Sequence, residues 1–316
     1  MKNKLLYSVI LLSTMASAQQ KELTMKDAVL GLSTNLRIEN LSQVQWIPNQ
    51  DAFTQNVKTK YGEALIKNTV PSMKVDTLFR SNQFEGNKIP NLNWIDEQKA
   101  FYQQKGAYKL LTSNGNTSNW LNIPQNAESL EWDASNNQVG YTVDNNLFFI
   151  DRNGQTHQIT TDGKYEIVNG KAVHQQEFGI HKGIYISPKG NFVAFYRMDQ
   201  TVVTDYPIID WSVQPAVNHN IKYPFSGTKN HTVTLGVYNP KTKQTTFLAT
   251  EPEKDQYLTS VTWSPDEKHI YIGILSRNQK HLKLNQYDAQ TGKFVKTLFE
   301  EKDDKYVEPQ NELYFL

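Results

Sequence analysis

The stretch from Ala172 to Arg197 joins a strand pattern to a polar segment that interrupts it. Its second half, Ile184–Arg197, reads Ile-Tyr-Ile-Ser-Pro-Lys-Gly-Asn-Phe-Val-Ala-Phe-Tyr-Arg and alternates in a strand rhythm around a Ser-Pro-Lys-Gly-Asn turn. Its first half, Ala172–Gly179, reads Ala-Val-His-Gln-Gln-Glu-Phe-Gly, which places one carboxylate, Glu177, beside an aromatic residue. Charged insertions on rigid sheets often carry function. A solvated connector is the alternative, since most lone acidic residues lie on the surface.

Short alternating apolar runs, separated by turns rich in Asn, Asp, Gly and Pro, continue from about Leu41 onward and predict successive antiparallel hairpins. Within them one shape recurs: a strand end, a tight turn and a second strand. Its five copies are marked by Trp46, Trp94, Trp132, Ile186 and Trp263. Four strands per unit predict the blades of a β-propeller, in which each strand end packs between neighbouring sheets because one blade cannot bury both faces alone. A β-sandwich with coincidental Trp-turn pairs is the alternative.

The N-terminus has the features of a secretory signal in residues 1–18. Lys2 and Lys4 precede a short apolar run, Leu5–Leu12, and Ala16–Ala18 forms a small-residue cleavage site. A membrane anchor is the alternative, but the run is too short to cross about 30 Å of hydrocarbon comfortably. The sequence therefore predicts export, to the periplasm or to the extracellular space.

Three segments follow from these patterns: the signal peptide at residues 1–18, a helical lead-in at residues 19–40, and an incomplete β-propeller domain at residues 41–316. In the lead-in, Leu23–Leu30 predicts a short helix. Thr24 is its expected N-cap, and Asp27 stands three residues later, as in a capping box.

Composition excludes several functions. The charges balance, with 33 basic against 32 acidic residues, which argues against nucleic acid as a partner. Cysteine is absent, so disulfides, thiolate metal sites and a cysteine nucleophile are excluded. The seven histidines show no metal-binding spacing, and we expect His174 and His181 at the surface. No Gly-x-Ser-x-Gly elbow, phosphate-binding loop or dinucleotide fingerprint occurs. The sequence thus predicts no cofactor, no metal and no catalytic residue in this chain.

Several stretches resemble the N-terminal propeller of dipeptidyl peptidase IV, in the prolyl oligopeptidase family, and especially its secreted bacterial members. They are Val173–Phe178, Ile186–Asn191, Phe195–Gln200, Tyr206–Pro207, Tyr223–Pro224 and Val261–Asp266. The similarity extends to Tyr306–Pro309 and covers nearly the whole mature chain. The resemblance implies an eight-bladed propeller, of which this chain would supply about five blades. It also implies a C-terminal α/β-hydrolase domain carrying Ser, Asp and His, with substrate between the two domains.

The resemblance also implies a site. Two adjacent glutamates of the family, which hold the free α-amino group of a peptide, map onto Gln176 and Glu177. An α-ammonium has a pKa of about 8 and forms charge-assisted hydrogen bonds with a carboxylate. We therefore expect Glu177 to be the anchor and Gln176 its orienting partner. Family members add an arginine from an earlier blade; none lies between Ser81 and Asp151, so Lys105 or Lys109 is the candidate support.

The expected function is that of the substrate-gating propeller of an exported serine dipeptidyl peptidase, which removes Xaa-Pro or Xaa-Ala dipeptides from peptide N-termini. Because Glu312–Leu316 starts an apolar strand and stops, we expect a truncated chain that lacks its hydrolase domain and does not hydrolyse peptides by itself. The expected partners are a peptide with a free N-terminus, the missing hydrolase domain and, at full length, a second copy. A free-standing propeller that binds a peptide or protein, and an exported structural β-protein without a site, are the alternatives.

Overall fold

A computed structural model of the chain describes residues 23–34, 36–38, 40–250 and 255–315. The predicted signal peptide, residues 1–18, lies outside the described residues. Within them, five sheets of four or five strands follow one another along the chain, all with antiparallel pairing. The prediction of an all-β, partial β-propeller of about five blades after a short helix is confirmed.

The helix α1, Met25–Leu30, begins where the sequence predicts. Thr24 is its N-cap: the Asp27 N–H donates to Thr24 Oγ1 at 3.1 Å, and the Thr24 N–H donates back to Asp27 Oδ2 at 3.2 Å. This reciprocal capping box satisfies backbone donors that the first turn leaves free. Single 3₁₀ turns occur elsewhere, at Gly31–Ser33, Ser81–Gln83, Glu85–Asn87, Ala134–Asn136 and His174–Gln176.

The first three sheets, here called blades 1 to 3, each contain four strands in sequential order. Blade 1 comprises β1 (Ser42–Trp46), β2 (Ala52–Thr59), β3 (Gly62–Thr69) and β4 (Lys74–Arg80). Blade 2 comprises β5 (Asn93–Trp94), β6 (Lys99–Gln104), β7 (Ala107–Thr112) and β8 (Thr117–Asn119). Blade 3 comprises β9 (Glu128–Asp133), β10 (Gln138–Val143), β11 (Asn146–Ile150) and β12 (Thr156–Gln158).

Blade 4 departs from this plan by two insertions. It comprises β13 (Ile167–Asn169), β14 (Ile184–Ile186), β15 (Val193–Asp199), β18 (Thr232–Asn239) and β19 (Gln244–Phe247). A separate hairpin, formed by β16 (Asp205–Asp210) and β17 (Val217–Lys222), is inserted between β15 and β18 and exposes most of its apolar side chains. Blade 5 is regular, with β20 (Gln256–Trp263), β21 (His269–Ser276), β22 (His281–Asp288) and β23 (Phe294–Lys302).

A separate buried apolar cluster lies between each pair of neighbouring blades. Strand β15 shows how one strand serves two of them. Val193 and Phe195 belong to the cluster shared with blade 3, whereas Ala194 and Tyr196 belong to the cluster shared with blade 5. Successive side chains of a strand point to opposite faces. Both faces of blade 4 are therefore buried, as stacking in a propeller requires.

The strand ends that mark the repeat differ in burial. Trp263 is buried and its Nε1–H donates to the Tyr185 carbonyl at 3.0 Å, while Trp94 and Trp132 are half-buried. Trp46 of blade 1 is 65% exposed, because no sheet among the described residues packs against its outer face. The expectation that every copy packs between two sheets is wrong for this copy. The predicted strand beginning at Glu312 is also absent, since residues 303–315 are irregular.

Candidate functional site

The segment that carries Glu177 lies between β13 and β14, two short strands that together occupy one position beside β15 in blade 4. Strands β13 and β14 both pair with β15, and only Tyr196 separates their paired positions. The Gly170 N–H donates to the Tyr196 carbonyl at 2.8 Å, and the Tyr196 N–H donates to the Gly183 carbonyl at 3.0 Å. The chain thus leaves the sheet at Gly170 and returns at Gly183, and Lys171–Lys182 forms a closed loop, here called the Glu177 loop.

The two ends of the Glu177 loop touch each other. A Cβ atom added to Gly183 would lie 2.1 Å from the Lys171 carbonyl oxygen, so this position accommodates only glycine without displacing the backbone. The neck of the loop is therefore fixed by main-chain contact as well as by the hydrogen bonds to Tyr196.

Inside the loop, consecutive residues adopt left-handed backbone conformations. The φ angles of His174, Gln175 and Gln176 are 54°, 56° and 63°, and that of Phe178 is 57°. Such angles are costly for residues other than glycine and persist where surrounding contacts enforce them. Strain of this kind is concentrated at functional sites, so the Glu177 loop is a candidate functional site.

Buried side chains supply the enforcing contacts. Val173 and Ile180 belong to the cluster between blades 4 and 5, and Phe178 packs against Tyr257 of β20 at a ring-centroid distance of 4.9 Å. Gln175, Gln176 and Glu177, between them, are exposed. The loop therefore presents three polar side chains on a frame that both blades hold.

His174 is buried, which contradicts its expected surface position; His181 is exposed as expected. The Leu258 N–H donates to His174 Nε2 at 3.1 Å, so this nitrogen carries no proton. The proton of the neutral ring then lies on Nδ1, which donates to His231 Nε2 at 3.0 Å. His174 thus ties the loop to β20 and to the residue that precedes β18.

Both histidines are held neutral. Burial, followed by the neighbouring His231 and Arg277, lowers the pKa of His174 well below its ordinary value. Burial, followed by the Arg277 charge, lowers the pKa of His231 to about 4. A proton on His174 Nε2 would in addition oppose the Leu258 N–H. The contact that fastens the loop is therefore formed by uncharged rings at neutral pH.

The Glu177 loop forms one wall of a cavity of about 390 Å³, here called the Glu177 cavity. Its volume falls within the range of small-molecule sites. The remaining walls come from the segments on either side of Gly227, from β20, from the β21–β22 turn and from the segment after β23. Its lining residues are His174, Gln175, Glu177, Phe178, Tyr223, Pro224, Asn230, His231, Tyr257, Arg277, Gln279 and Glu308.

Charges in the cavity are of both signs. Arg277 lies 5.0 Å above the Tyr257 ring, donates to its hydroxyl and pairs with Asp255 at 3.6 Å. The carboxylates of Glu177 and Glu308 are exposed, and neither has a hydrogen-bond or ion-pair partner among the residues that the structure describes. Free carboxylates in a cavity can accept hydrogen bonds from a cationic ligand.

The predicted site residues are only partly brought together. Glu177 lines the cavity, but Gln176 does not; its neighbour Gln175 does. Lys105 pairs with Glu85 and lines a different cavity of about 330 Å³ on blade 2. Lys109 donates to Asn119 Oδ1 at 2.6 Å.

The sequence did not indicate three residues that line the cavity: Arg277, His231 and Glu308. Arg277 and His231 stand next to strands without any motif around them. Glu308 lies within the stretch Tyr306–Pro309, to which the family resemblance extends without indicating a role for this residue. In the described part of the chain, no group of three or more His, Asp or Glu residues is placed to hold a metal ion, and no helix is long and apolar enough to cross a membrane.

The protein is thus a partial β-propeller with a polar cavity. This cavity is large enough for a ligand, and one of its walls is a strained loop that carries an acidic residue. Comparison with known families makes this specific. The sequence model for the dipeptidyl peptidase IV N-terminal region matches residues 89–316, and the chain belongs to that family.

Individual relatives agree. The chain is 30% identical over 201 residues to dipeptidyl peptidase 4 of Felis catus, which covers 57% of this chain and 26% of the cat protein. It is 32% identical over 144 residues to dipeptidyl peptidase 4 of Trichophyton rubrum, covering 42% of this chain and 18% of that protein. The chain thus spans about a quarter or less of these relatives' length.

Solved structures give the same result for the fold. A protein from Bacteroides ovatus, assigned as a dipeptidyl aminopeptidase IV, superposes with a TM-score of 0.77 at 32% identity, over 88% of this chain and 40% of that one. Dipeptidyl peptidase 4 of Porphyromonas gingivalis superposes with a TM-score of 0.70 at 19% identity, over 92% and 43% of the two chains. This second likeness bears on the fold alone.

Proposed function

We propose that this chain is the substrate-gating propeller of an exported serine dipeptidyl peptidase, which removes Xaa-Pro or Xaa-Ala dipeptides from peptide N-termini. In this proposal Glu177 binds the α-ammonium of the peptide. Bond cleavage is carried out by a Ser-His-Asp hydrolase domain that belongs to the same full-length protein.

The observation that carries the proposal is the placement of Glu177. Its carboxylate is exposed at the Glu177 cavity, without a partner among the described residues, on a loop whose ends are fixed at Gly170 and Gly183. A carboxylate on a backbone that is held in place accepts charge-assisted hydrogen bonds from an ammonium group without the cost of ordering the loop. Because the backbone that carries Glu177 is fixed, this residue can set how far a peptide extends from its first amino group toward the scissile bond.

Gating here means that the distance from the bound amino group to the nucleophile selects the peptide bond that is cleaved. If the ammonium is bound at Glu177, only the peptide bond that reaches the nucleophile is cleaved, and a blocked or missing amine loses the anchor. Interactions of this type orient the substrate and reduce the entropy lost on reaching the transition state. The assignment of Gln176 as the orienting partner stays a prediction, as does a supporting role for Lys105 or Lys109.

The test is the substitution Glu177→Gln in the full-length protein, which removes the charge but keeps the shape. One charge-assisted hydrogen bond contributes about 1.5–3 kcal/mol, so kcat/KM for an Xaa-Pro substrate should fall about 10- to 150-fold. Glu301→Gln, on the exposed strand β23, is the matched control and should behave like wild type. Unchanged kinetics of E177Q would contradict the proposal.

The coding sequence beyond the codon for Leu316 distinguishes the peptidase from the alternative, a free-standing propeller that binds a peptide or protein. A downstream Gly-x-Ser-x-Gly motif supports the peptidase. A stop codon, together with a stable monomeric product, supports the binding module. Export is tested separately, by locating the processed N-terminus of the secreted or periplasmic protein.

A further inference from the structure

We propose that the α-ammonium is held by two carboxylates from distant parts of the chain, Glu177 and Glu308, so that Glu308 supplies the second negative charge that Gln176 does not. This inference rests on the proposed function. The chemical reason is that an ammonium group has three N–H donors and no acceptor, so one side chain seldom satisfies it alone.

The first geometric argument comes from the residues that adjoin the two acids. Phe178, next to Glu177, and Val307, next to Glu308, belong to one buried cluster together with Tyr257, Leu275 and Leu282. Phe178 and Val307 are 7% and 4% exposed. The two segments are thus anchored in one small cluster, and the acids that adjoin these anchors both line the Glu177 cavity.

The second argument is a main-chain contact two residues further along each segment. A Cβ atom on Gly179 would lie 2.2 Å from the Gln310 carbonyl oxygen and 2.9 Å from its carbonyl carbon. Gly179, whose φ is 71°, therefore lets the two backbones touch. The segments Glu177–Gly179 and Val307–Gln310 are thus joined both at a side-chain cluster and at the backbone.

Glu308 is also held in place from the other side. The Val307 N–H donates to the Gln279 carbonyl at 2.6 Å, and Gln279 itself lines the Glu177 cavity. The backbone next to Glu308 is therefore fixed although the surrounding segment is irregular. A carboxylate on such a fixed backbone needs little ordering when a ligand arrives.

The charges in the cavity leave both acids available. The cation that shares the cavity, Arg277, is bound to the Tyr257 hydroxyl and to Asp255. Among the described residues no hydrogen bond or ion pair occupies the carboxylate of Glu177 or of Glu308. Both carboxylates can therefore accept hydrogen bonds from a cationic group of a ligand.

The experiment compares E308Q, E177Q, the double variant and wild type in the full-length protein, with an Xaa-Pro substrate. Glu312→Gln removes an exposed acid from the same segment that does not line the cavity, and is the matched control. We expect E308Q to lower kcat/KM about tenfold or more. The loss should lie mainly in KM, because the ammonium contact is present in both the ground state and the transition state. E312Q should match wild type.

Outcomes separate the inference from the function on which it rests. If E177Q loses activity while E308Q matches E312Q, the inference is overturned and the proposed function stands. If neither E177Q nor E308Q has an effect, both are overturned. Since Val307 provides the packing, E308Q should melt like E312Q. Glu308→Asp is the second variant. It keeps the charge, and its kcat/KM should lie between those of wild type and E308Q. If the loss in E308Q lies in kcat and is accompanied by a lowered Tm, the role of Glu308 is structural and the inference is overturned.

Discussion

Glu267 of blade 5 reaches into the turn of blade 4, where its Oε1 accepts a hydrogen bond of 2.5 Å from the Ser187 hydroxyl. The same carboxylate accepts hydrogen bonds from the Lys189 N–H at 2.7 Å and from Asn191 Nδ2 at 2.7 Å. From the opposite side, Gln138 of blade 3 donates to the Gly190 carbonyl at 2.9 Å. The Ser-Pro-Lys-Gly-Asn turn, which belongs to the same blade as the Glu177 loop, is thus held by both neighbouring blades.

Loss of the Glu267 charge should weaken this junction. Burial alone raises the pKa of Glu267, but hydrogen bonds from Ser187, Asn191 and Lys189 outweigh it, so the net pKa lies below its ordinary value. We expect Glu267→Gln to destabilise the protein by about 1–3 kcal/mol, because its amide donors would face the Asn191 donor. Tm measures the effect, with Glu301→Gln as the control.

The direction of the Glu267 pKa also fixes a pH dependence. A carboxyl group whose folded-state pKa is lowered contributes stability above its unfolded pKa and loses it as the pH falls through the folded value. The Tm difference between wild type and E267Q should therefore shrink below about pH 4. A difference that is constant or grows in acid would contradict the role assigned to the charge.

The histidine pair predicts a second pH dependence, at higher pH. Because burial lowers the pKa of His231 to about 4, the unfolded chain binds a proton between pH 6.5 and 4 that the folded chain does not. Stability should fall as the pH drops through this window, by up to about 3 kcal/mol. His231→Gln should flatten the dependence of Tm on pH there, whereas His219→Gln, at an exposed site, should leave it unchanged. Equal slopes for wild type and H231Q would show that His231 is not buried as described.

The two glutamines of the Glu177 loop provide a test of the orienting partner. Gln175 lines the Glu177 cavity and Gln176 does not, although the family resemblance selects Gln176. On the geometry, Gln175→Ala should raise KM for an Xaa-Pro substrate severalfold, the loss of a neutral hydrogen bond of about 1 kcal/mol. Gln176→Ala should have the smaller effect. The reverse order would restore Gln176 to the orienting role.

The sequence predicted the features that depend on neighbours along the chain. The capping box of Thr24 and Asp27, the repeated strand ends and the polar insertion at Glu177 all rest on residues within one turn or one hairpin. The burial of His174 could not be predicted in this way, since it depends on His231, 57 positions away, and on Leu258 in the next blade. The approach of Glu308 to the Glu177 loop has the same cause: it is fixed by packing between segments that only the folded propeller brings together.

The proposed function depends most on the contact between Glu177 and an ammonium group. The most direct measurement is the inhibition constant of alanyl-proline relative to that of propionyl-proline, which has the same shape without the amine, for the full-length wild-type protein and for E177Q. We expect wild type to prefer alanyl-proline about tenfold or more, and E177Q to lose most of that preference with little change in its affinity for propionyl-proline. An equal preference in both proteins would show that Glu177 does not bind the amine.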